Sequence, residues 1–393
     1  MSDLEQFRRE TRAWLEANCP PGARGPGYVP IGSTRIPLEP DTQLWLERMV
    51  EKGWTTPTWP KEYGGAGLDK DEYKILIEEL QRTGARAPLT GRAVNYIGPT
   101  ILEFGTDEQK ARWLPLCSGG KGAWAMGYSE PGAGSDLANL STRAVKDGDN
   151  WIINGSKIWT SDATNCDYIF ILCRTSPDKP KHQGISLILV DMHQPGVKVS
   201  PIQLISGESD FCETFFDNAI APVDDLIGGV DNGWTVGKRL LQFERSTHAG
   251  INTSGSEGGR DRSDVVQDLV LQHQGNEDGT VSDTEIREWL TRYRMERQSI
   301  EITRQRVVAE TKAHAPGFAS SAVKLSNALN VQDGDELIMA AMGTQGYAWQ
   351  PKGSRQSNTA MKRWLYQKSL TIAGGTKEVQ MNIIAKRVLG LPD

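Results

Sequence analysis

The chain contains Tyr128-Ser-Glu-Pro-Gly-Ala-Gly-Ser-Asp-Leu137 and, about twenty residues later, Lys157-Ile-Trp-Thr-Ser161. The first stretch combines a hydroxyl, an acid and a proline with small residues that let backbone amides approach an anion or a flat ring. The second stretch adds an aromatic side chain and two hydroxyls. A flavin needs polar groups along its pyrimidine edge, an aromatic face and amide donors for its pyrophosphate. By itself the first stretch is more typical of a polar turn before a strand, so only the two stretches together favour a flavin site.

Residue patterns outward from these stretches divide the chain into an α, a β and a second α segment. Apolar spacing predicts helices over 3–18, 42–52, 70–82, 95–104 and 107–117. Short β-branched segments separated by turn residues follow over 122–229, with one turn predicted at Asn154-Gly155. Helical patterns return from Trp234, and the Ser/Gly/Asp-rich residues 252–283 predict a helix interrupted by at least one loop.

Bulk properties exclude several classes of protein. A length of 393 residues suits two or three domains, and a net charge of -6 leaves no basic stripe for nucleic-acid phosphates. No apolar run reaches the roughly 18 residues of a membrane span. The first ten residues have no apolar core of a signal or transit peptide, so we expect a cytoplasmic protein. The five cysteines lack Cys-x-x-Cys spacing and the five histidines are scattered, which predicts reduced thiols and no metal site.

The two stretches, with Leu370-Thr-Ile-Ala-Gly-Gly-Thr-Lys-Glu-Val379 near the C-terminus, closely resemble the acyl-CoA dehydrogenase flavoprotein family. The resemblance extends from about Phe7 to Pro392. It implies an α+β fold with an N-terminal all-α domain, a central antiparallel β-barrel domain and a C-terminal four-helix-bundle-type α domain. The implied domain boundaries are 1–121, 122–230 and 231–393. Composition alone supports only the order α, then β, then α.

The resemblance also implies an FAD site. Ser129 corresponds to a hydroxyl at the flavin pyrimidine edge, and Ser135 to a serine at the pyrophosphate. Trp159 corresponds to the aromatic over one flavin face, for which a core tryptophan of the β-domain is the alternative, and Ser161 to the hydroxyl that reaches the reactive ring nitrogen. The implied cofactor-binding residues are Met126, Tyr128, Ser129, Gly134, Ser135, Trp159, Ser161, Gly343, Gly374, Thr376 and Glu378.

The family needs a carboxylate to remove the α-proton of the acyl-CoA thioester. Many members carry it just before the closing Gly-Thr, where this chain has Gly374, which cannot take a proton. Isovaleryl- and long-chain-type members supply it from a helix after the β-domain, immediately before an arginine. This chain has Gln242-Phe-Glu-Arg245 there, so the resemblance implies Glu244 as the base. An ordinary charged pair is the alternative, although adjacent helical residues point about 100° apart.

The implied reaction is the α,β-dehydrogenation of an acyl-CoA to the 2,3-enoyl-CoA, with hydride passing to the flavin. Arg245 corresponds to a contact to CoA, and Gly374 to a backbone donor for the thioester carbonyl. The reduced cofactor then passes its electrons to a carrier, electron-transfer flavoprotein. Sequence does not identify the acyl group.

The chain departs from the family at two places. Most members carry Arg-x-x-Phe-Gly after the base-bearing helix, and residues 265–289 contain no such motif. The stretch Ala340-Ala-Met-Gly-Thr-Gln-Gly-Tyr347 also differs from the usual pattern. Both departures concern the half of the flavin site that is shared between subunits. A homo-oligomer (dimer or tetramer) and a pairing with a related unlike subunit, as in bacterial steroid and other bulky-acyl dehydrogenases, both remain open.

Two other functions remain open beside the dehydrogenase. One is a flavin monooxygenase or oxidase on the same fold, against which Glu244-Arg245 argues. The other is a non-enzymatic partner subunit, which a retained flavin loop and a candidate base disfavour.

Overall fold

The computed structural model of the chain describes residues 3–248, 261–312, 319–349 and 359–392. Its first helices are α1 Asp3–Asn18, α2 Pro40–Glu51, α3 Lys70–Thr83, α4 Gly98–Phe104 and α5 Asp107–Ser118. All five correspond to predicted helices, and α4 is preceded by a π-helical turn over Ala93–Ile97.

Local capping side chains determine where two of these helices begin. Asp69 accepts hydrogen bonds from the backbone amides of Asp71 and Glu72 at the start of α3, and the Glu72 carboxylate bonds back to the Asp69 amide. Thr106 and Gln109 form the same reciprocal box at the start of α5. Each box satisfies amides that the first helical turn leaves without partners, which is why the sequence predicts these starts closely.

A buried carboxylate joins α1 to α3. Glu79 is 1% exposed and accepts hydrogen bonds from Arg12 at 2.9 and 3.0 Å, from Arg82 at 2.8 Å and from Arg8 at 3.2 Å. Arg12 first, and then Arg82 and Arg8, lower the pKa of Glu79 to about 2 although burial opposes them. The carboxylate is therefore charged and fully paired.

The described strands form one eight-stranded sheet. They are β1 Trp124–Gly127, β2 Arg143–Asp147, β3 Asn150–Ile158, β4 Tyr168–Arg174, β5 Ile185–Asp191, β6 Val197–Ile202, β7 Phe211–Pro222 and β8 Leu226–Ile227. The order is β6-β7-β3-β2-β4-β5-β8, with β1 beside β4. In β4, Phe170 and Leu172 enter the core shared with α4, α5 and α6, whereas Ile169 and Ile171 enter a second core on the other face.

The sheet differs from the predicted antiparallel barrel in two respects. β1 pairs with β4 in parallel, as does the single β2–β4 pair, because long connections separate these strands along the chain. Among the described residues the path does not close from β8 back to β6, since β8 has two residues and pairs only with β5. The structure therefore has an open mixed sheet where a closed barrel was predicted.

The predicted turn at Asn154-Gly155 is wrong, because β3 runs through it. The pairing of β3 with β7 shifts register between Ile153 and Gly155, which makes this point a β-bulge. Gly155 has a φ of 143°, and a Cβ there would lie 2.7 Å from the Thr142 hydroxyl oxygen. Only glycine fits this conformation and this space.

Helices make up most of the remaining described chain. They are α6 Gly233–His248, α7 Arg262–Gln274, α8 Thr284–Lys312, α9 Ala319–Met342, α10 Thr359–Gln367 and α11 Lys377–Ile383. α9 packs against α7, α8, α10 and α11. The predicted interruption is seen where α7 ends at Gln274 and a turn closed by a Gly275–Val281 bridge follows, while residues 252–260 lie outside the described part.

The chain divides into two compact units. The first contains Met1–Ile202 and Ser209–Glu244, and the second contains Gln203–Glu208 and Arg245–Asp393. The division falls within α6, and each unit is described by itself below.

Candidate active site

The stretch from Tyr128 to Leu137, which we call the flavin loop, leaves the end of β1 as a tight turn. Glu130 and Ala133 exchange two backbone hydrogen bonds of 3.0 Å. Beyond them, Gly134 and Ser135 are exposed. The Tyr128 ring is buried, packs edge-on against Phe170 and donates a 3.5 Å hydrogen bond to the Gly237 carbonyl of α6. A cofactor contact by Tyr128 would therefore come from its backbone.

The carboxylate of Glu130 joins the start of the flavin loop to the residues that directly follow the loop. It accepts hydrogen bonds from the Ser141 amide at 2.7 Å, the Ser141 hydroxyl at 2.8 Å and the Thr142 amide at 2.9 Å. Lys157, whose side chain is fully buried, donates to the same carboxylate at 2.7 Å and to the Tyr128 carbonyl at 3.1 Å. Burial would raise the pKa of Glu130, but Lys157 and these hydrogen bonds lower it to about 2. The carboxylate is therefore charged, and its charge opposes the burial that lowers the pKa of Lys157.

Lys157 lies in β3, two residues before Trp159. Its hydrogen bonds to Glu130 and Tyr128 therefore join the flavin loop to the second stretch. The Ile158 amide also donates to the Ser129 carbonyl at 2.9 Å. The structure thus brings Ser129 close to the strand that leads to Trp159 and Ser161. Ser161 is half-buried. Met126 lies in β1 opposite Phe170 and packs against the core.

Trp159 is not a core residue. It is 52% exposed, and its ring contacts Phe211 edge-on with the two ring centres 6.1 Å apart. Its backbone has a φ of 61°, in the left-handed region that a large L-residue avoids. Thr160 holds this turn in place, because its amide and hydroxyl donate to the Cys212 carbonyl at 3.0 and 2.9 Å. Strained backbone of this kind concentrates at functional sites.

The fold does not require glycine at positions 132 and 134 of the flavin loop. Among the described residues, no atom lies within 4 Å of a Cβ built on Gly132 or Gly134, apart from their chain neighbours. Neither glycine has a positive φ. Because the chain itself would tolerate side chains here, the glycines leave room for a group from outside it. An exposed aromatic ring beside such a loop fits a flavin.

Glu244 lies half-buried on α6 in the same unit. Burial, and next the Glu244 charge, raise the pKa of Tyr96 to about 12 and that of Tyr128 well above its ordinary value. On the same helix, the Gly237 carbonyl accepts the Tyr128 hydrogen bond, and Glu244 lies about two helical turns further along. The predicted base therefore lies on the helix that contacts Tyr128, the residue that opens the flavin loop.

The predicted residues near the C-terminus lie in the second unit. Gly374 and Gly375 have φ values of 64° and 97°, so the turn requires glycine at both. The Thr376 hydroxyl oxygen accepts a hydrogen bond from the Val379 amide and caps α11. Lys324 donates to the Gly375 carbonyl at 2.6 Å and stabilises the turn.

Three further predicted residues also belong to the second unit. Gly343 is exposed at the end of α9 with a φ of 56°, and Glu378 is exposed on α11. Arg245 continues α6, but its side chain lies outside the described part of the chain.

Comparisons with known proteins show the family of this chain. Three family models match the chain: acyl-CoA dehydrogenase N-terminal domain over 1–121, middle domain over 125–219 and C-terminal domain over 231–389. Acyl-CoA dehydrogenase IpdE1 of Mycobacterium tuberculosis is 35% identical over 400 residues, which cover 100% of this chain and 99% of that protein. The chain belongs to the acyl-CoA dehydrogenase family. It is accordingly an oxidoreductase that acts on acyl-CoA, in a family that depends on a flavin, typically FAD.

Two solved structures are also similar to this chain. The Tcur3481-Tcur3483 steroid ACAD is 30% identical with a TM-score of 0.75, over 100% of this chain and 98% of that one. The ChsE4-ChsE5 complex from Mycobacterium tuberculosis is 28% identical with a TM-score of 0.73, again over 100% and 98%. The mixed α+β architecture, in which helices precede and follow the sheet along the chain, is that of the family.

Sequence reasoning missed Glu130, Lys157 and Tyr96 in this acyl-CoA dehydrogenase. One signal for Lys157 was available, because strand alternation places it on the inward face of β3 with Trp151 and Ile153. A lysine at an inward position needs a partner. The partner lies 27 residues earlier, and spacing alone cannot identify it.

No helix among the described residues is long and apolar enough to cross a membrane. Within the same residues, no group of three or more His, Cys, Asp or Glu side chains could hold a metal ion. All five cysteines are buried with free thiols.

Proposed function

We propose that this chain catalyses the FAD-dependent α,β-dehydrogenation of an acyl-CoA thioester to the 2,3-enoyl-CoA, with Glu244 as the base for the α-proton. The observation that carries this proposal is the position of Glu244 on α6, about two helical turns beyond Gly237, whose carbonyl accepts a hydrogen bond from Tyr128 at the start of the flavin loop. FAD, when bound, supplies the acceptor for the hydrogen and the two electrons that leave the β-carbon. Electron-transfer flavoprotein is the proposed electron carrier.

The neighbouring tyrosines support Glu244 as the base. Because the pKa values of Tyr96 and Tyr128 are raised, both hydroxyls stay protonated at neutral pH and cannot take the α-proton. A half-buried carboxylate can take it, and the thioester oxygen then gains negative charge. We propose the Gly374 amide as a hydrogen-bond donor to that oxygen and Arg245 as a contact to CoA, both on the family resemblance.

The proposed FAD-binding residues differ in their support. In the first unit, the hydroxyls of Ser129 and Ser161, the exposed ring of Trp159 and the open backbone around Gly134 and Ser135 provide the groups a flavin needs. Met126 and Tyr128 pack in the core beside the flavin loop, and their proposed role rests on the resemblance. The remaining proposed residues, Gly343, Gly374, Thr376 and Glu378, rest on the resemblance alone.

Replacement of Glu244 tests the base directly. In Glu244→Gln, anaerobic bleaching of flavin absorbance by a substrate acyl-CoA should slow by about 10²–10⁴-fold, the usual contribution of a general base. Glu103→Gln is the matched control, because Glu103 is an exposed carboxylate that pairs with Arg239 of α6. Equal bleaching in Glu244→Gln and the native protein would remove Glu244 from the mechanism. Rapid turnover with oxygen and no carrier would favour an oxidase.

A second candidate is one subunit of a heteromeric acyl-CoA dehydrogenase. Two similar structures carry paired names, Tcur3481-Tcur3483 and the ChsE4-ChsE5 complex, and this chain lacks the Arg-x-x-Phe-Gly motif. We therefore propose pairing with an unlike subunit as the alternative to a homo-oligomer. A protein that is colourless alone and gains flavin on co-expression with a related subunit would support the pair; a yellow protein purified alone would support the homo-oligomer.

We also propose a bulky acyl group as the substrate class. The solved Tcur3481-Tcur3483 protein is named a steroid ACAD, and this chain is similar to it over its whole length. Anaerobic bleaching with a panel of ring-bearing and straight-chain acyl-CoAs should be faster with the ring-bearing members. Faster bleaching with straight chains would contradict this assignment without touching Glu244.

A further inference from the structure

We propose that the buried Glu130–Lys157 pair holds the flavin loop in its FAD-binding conformation before the cofactor arrives, so that both are positioning residues for FAD. This inference rests on the proposed function, since it takes the flavin loop to bind FAD. It adds two residues, neither of which is expected to touch the cofactor.

Glu130 closes the loop on itself. Three hydrogen bonds join its carboxylate to Ser141 and Thr142, so residues 131–140 begin and end at one carboxylate. Arg174 holds the second half from another side, because it donates to the Ala138 carbonyl at 2.7 Å. A loop with fixed ends loses less conformational entropy when a ligand orders it. The exposed backbone around Gly134 is therefore already ordered for an anion.

Lys157 connects this closed loop to the aromatic residue. Its ammonium donates both to Glu130 and to the Tyr128 carbonyl, and it lies near the end of β3, two residues before Trp159, which directly follows the strand. A backbone hydrogen bond from the Ile158 amide to the Ser129 carbonyl joins the residues next to Lys157 and Tyr128. One buried ammonium therefore holds both the loop and the strand that presents the Trp159 ring.

The charges predict an unusual mutational pattern. Removing one partner leaves an unpaired charge in the core, whereas removing both leaves two neutral side chains. Glu130→Gln and Lys157→Met should therefore each disturb the loop more than Glu130→Gln/Lys157→Met does. Non-additivity of this kind is expected only for groups that act on each other.

The test compares FAD affinity with stability. Variants with Glu130→Gln, Lys157→Met and both changes are titrated with FAD by flavin fluorescence, at a temperature where circular dichroism shows them folded. Glu79→Gln is the matched control, because Glu79 is an equally buried, arginine-paired carboxylate of the same unit that lies outside the loop. If the protein is colourless when purified alone and gains flavin only on co-expression with an unlike subunit, the titration uses that assembly.

Each single variant should bind FAD about tenfold or more weakly, in the range of coupling between contacting residues, and the double variant should recover part of this loss. Hydrogen exchange of the amides in 131–142, measured without FAD, should be faster in the single variants and unchanged in Glu79→Gln. Ser141→Ala, which removes one donor to Glu130, replaces any variant that does not fold and should show the same two effects more weakly.

Three outcomes would overturn the inference. Native FAD affinity and native loop exchange in the folded single variants would leave the proposed function intact and assign the pair to stability alone. An equal loss of FAD affinity in Glu79→Gln would show a general effect of instability. A native protein or assembly that binds no FAD would end both this inference and the cofactor part of the proposed function.

Discussion

Trp159 shows what single residues add to the sequence. The motif predicted a flavin-facing ring, and the alternative was a core tryptophan. An exposure of 52% excludes the core alternative, and a φ of 61° marks a conformation that the surrounding turn enforces. Sequence identified the residue, but its backbone strain depends on pairing between Thr160 and Cys212, which no local pattern contains.

Substitution of Trp159 by two small residues separates strain from function. Trp159→Gly should be more stable than Trp159→Ala by about 1–2 kcal/mol, because only glycine adopts the left-handed conformation without cost. Both variants lose the ring and should bind FAD equally weakly. Thermal unfolding and flavin titration measure the two effects. Equal stability of the two variants would mean that the backbone at 159 relaxes once the ring is removed.

At the scale of elements, β3 shows where local signals mislead. Asn-Gly is a strong hairpin signal, yet β3 continues through Asn154-Gly155 because β7 pairs with it on both sides. The helices were predicted more closely, since boxes such as Asp69–Glu72 lie within a few residues of each other. Strand pairing, the bulge and the parallel β1–β4 contact depend on partners far along the chain and could not be predicted.

Two glycines of the same region should respond oppositely to alanine. Gly155→Ala should destabilise the protein by about 1–3 kcal/mol, because the new Cβ would lie 2.7 Å from the Thr142 hydroxyl oxygen at a φ of 143°. Gly134→Ala has open space and an ordinary φ, so its stability should be unchanged or slightly higher, by up to about 1 kcal/mol. Its FAD affinity should nevertheless fall, as flavin titration would show. Native FAD affinity in Gly134→Ala would argue against a close backbone approach at this position.

At the scale of the whole molecule, the order of helices, sheet and helices agrees with the sequence, and the family comparisons cover it from end to end. The domain boundaries 1–121, 122–230 and 231–393 stay predictions, because the structure divides into two units instead, within α6. Family motifs therefore carried the assignment further than composition could. Barrel closure depends on pairing between distant strands, which composition does not encode.

The stability of the first unit should depend on acidity through Glu79 and Glu130. The pKa values of both carboxylates are lowered from 4.5 to about 2. For Glu79 the largest cause is the hydrogen bond from Arg12. For Glu130 burial would raise the pKa, but the charge and hydrogen bond of Lys157 outweigh it. Their stabilising effect is therefore complete above about pH 4.5 and lost as the pH falls towards about 2, by at most about 3 kcal/mol for each carboxylate.

Denaturant unfolding between about pH 7 and pH 3 measures this loss. Glu79→Gln should be less stable at neutral pH but should lose less stability on acidification than the native protein. Parallel curves for the two proteins would show that Glu79 does not contribute to acid unfolding. Glu103→Gln, which changes an exposed carboxylate, provides the comparison.

The buried thiols have a practical use in studying how this chain unfolds. Cys19, Cys117, Cys166, Cys173 and Cys212 all belong to the first unit, and the second contains no cysteine in its sequence. A thiol-alkylating reagent therefore times the opening of the first unit alone, since buried thiols do not react until they are exposed. Each unit contains tryptophans, such as Trp113 in the first and Trp289 in the second, so tryptophan fluorescence reports on the two units together. If alkylation and fluorescence follow one time course, the units unfold as one; if they separate, the chain unfolds in two steps.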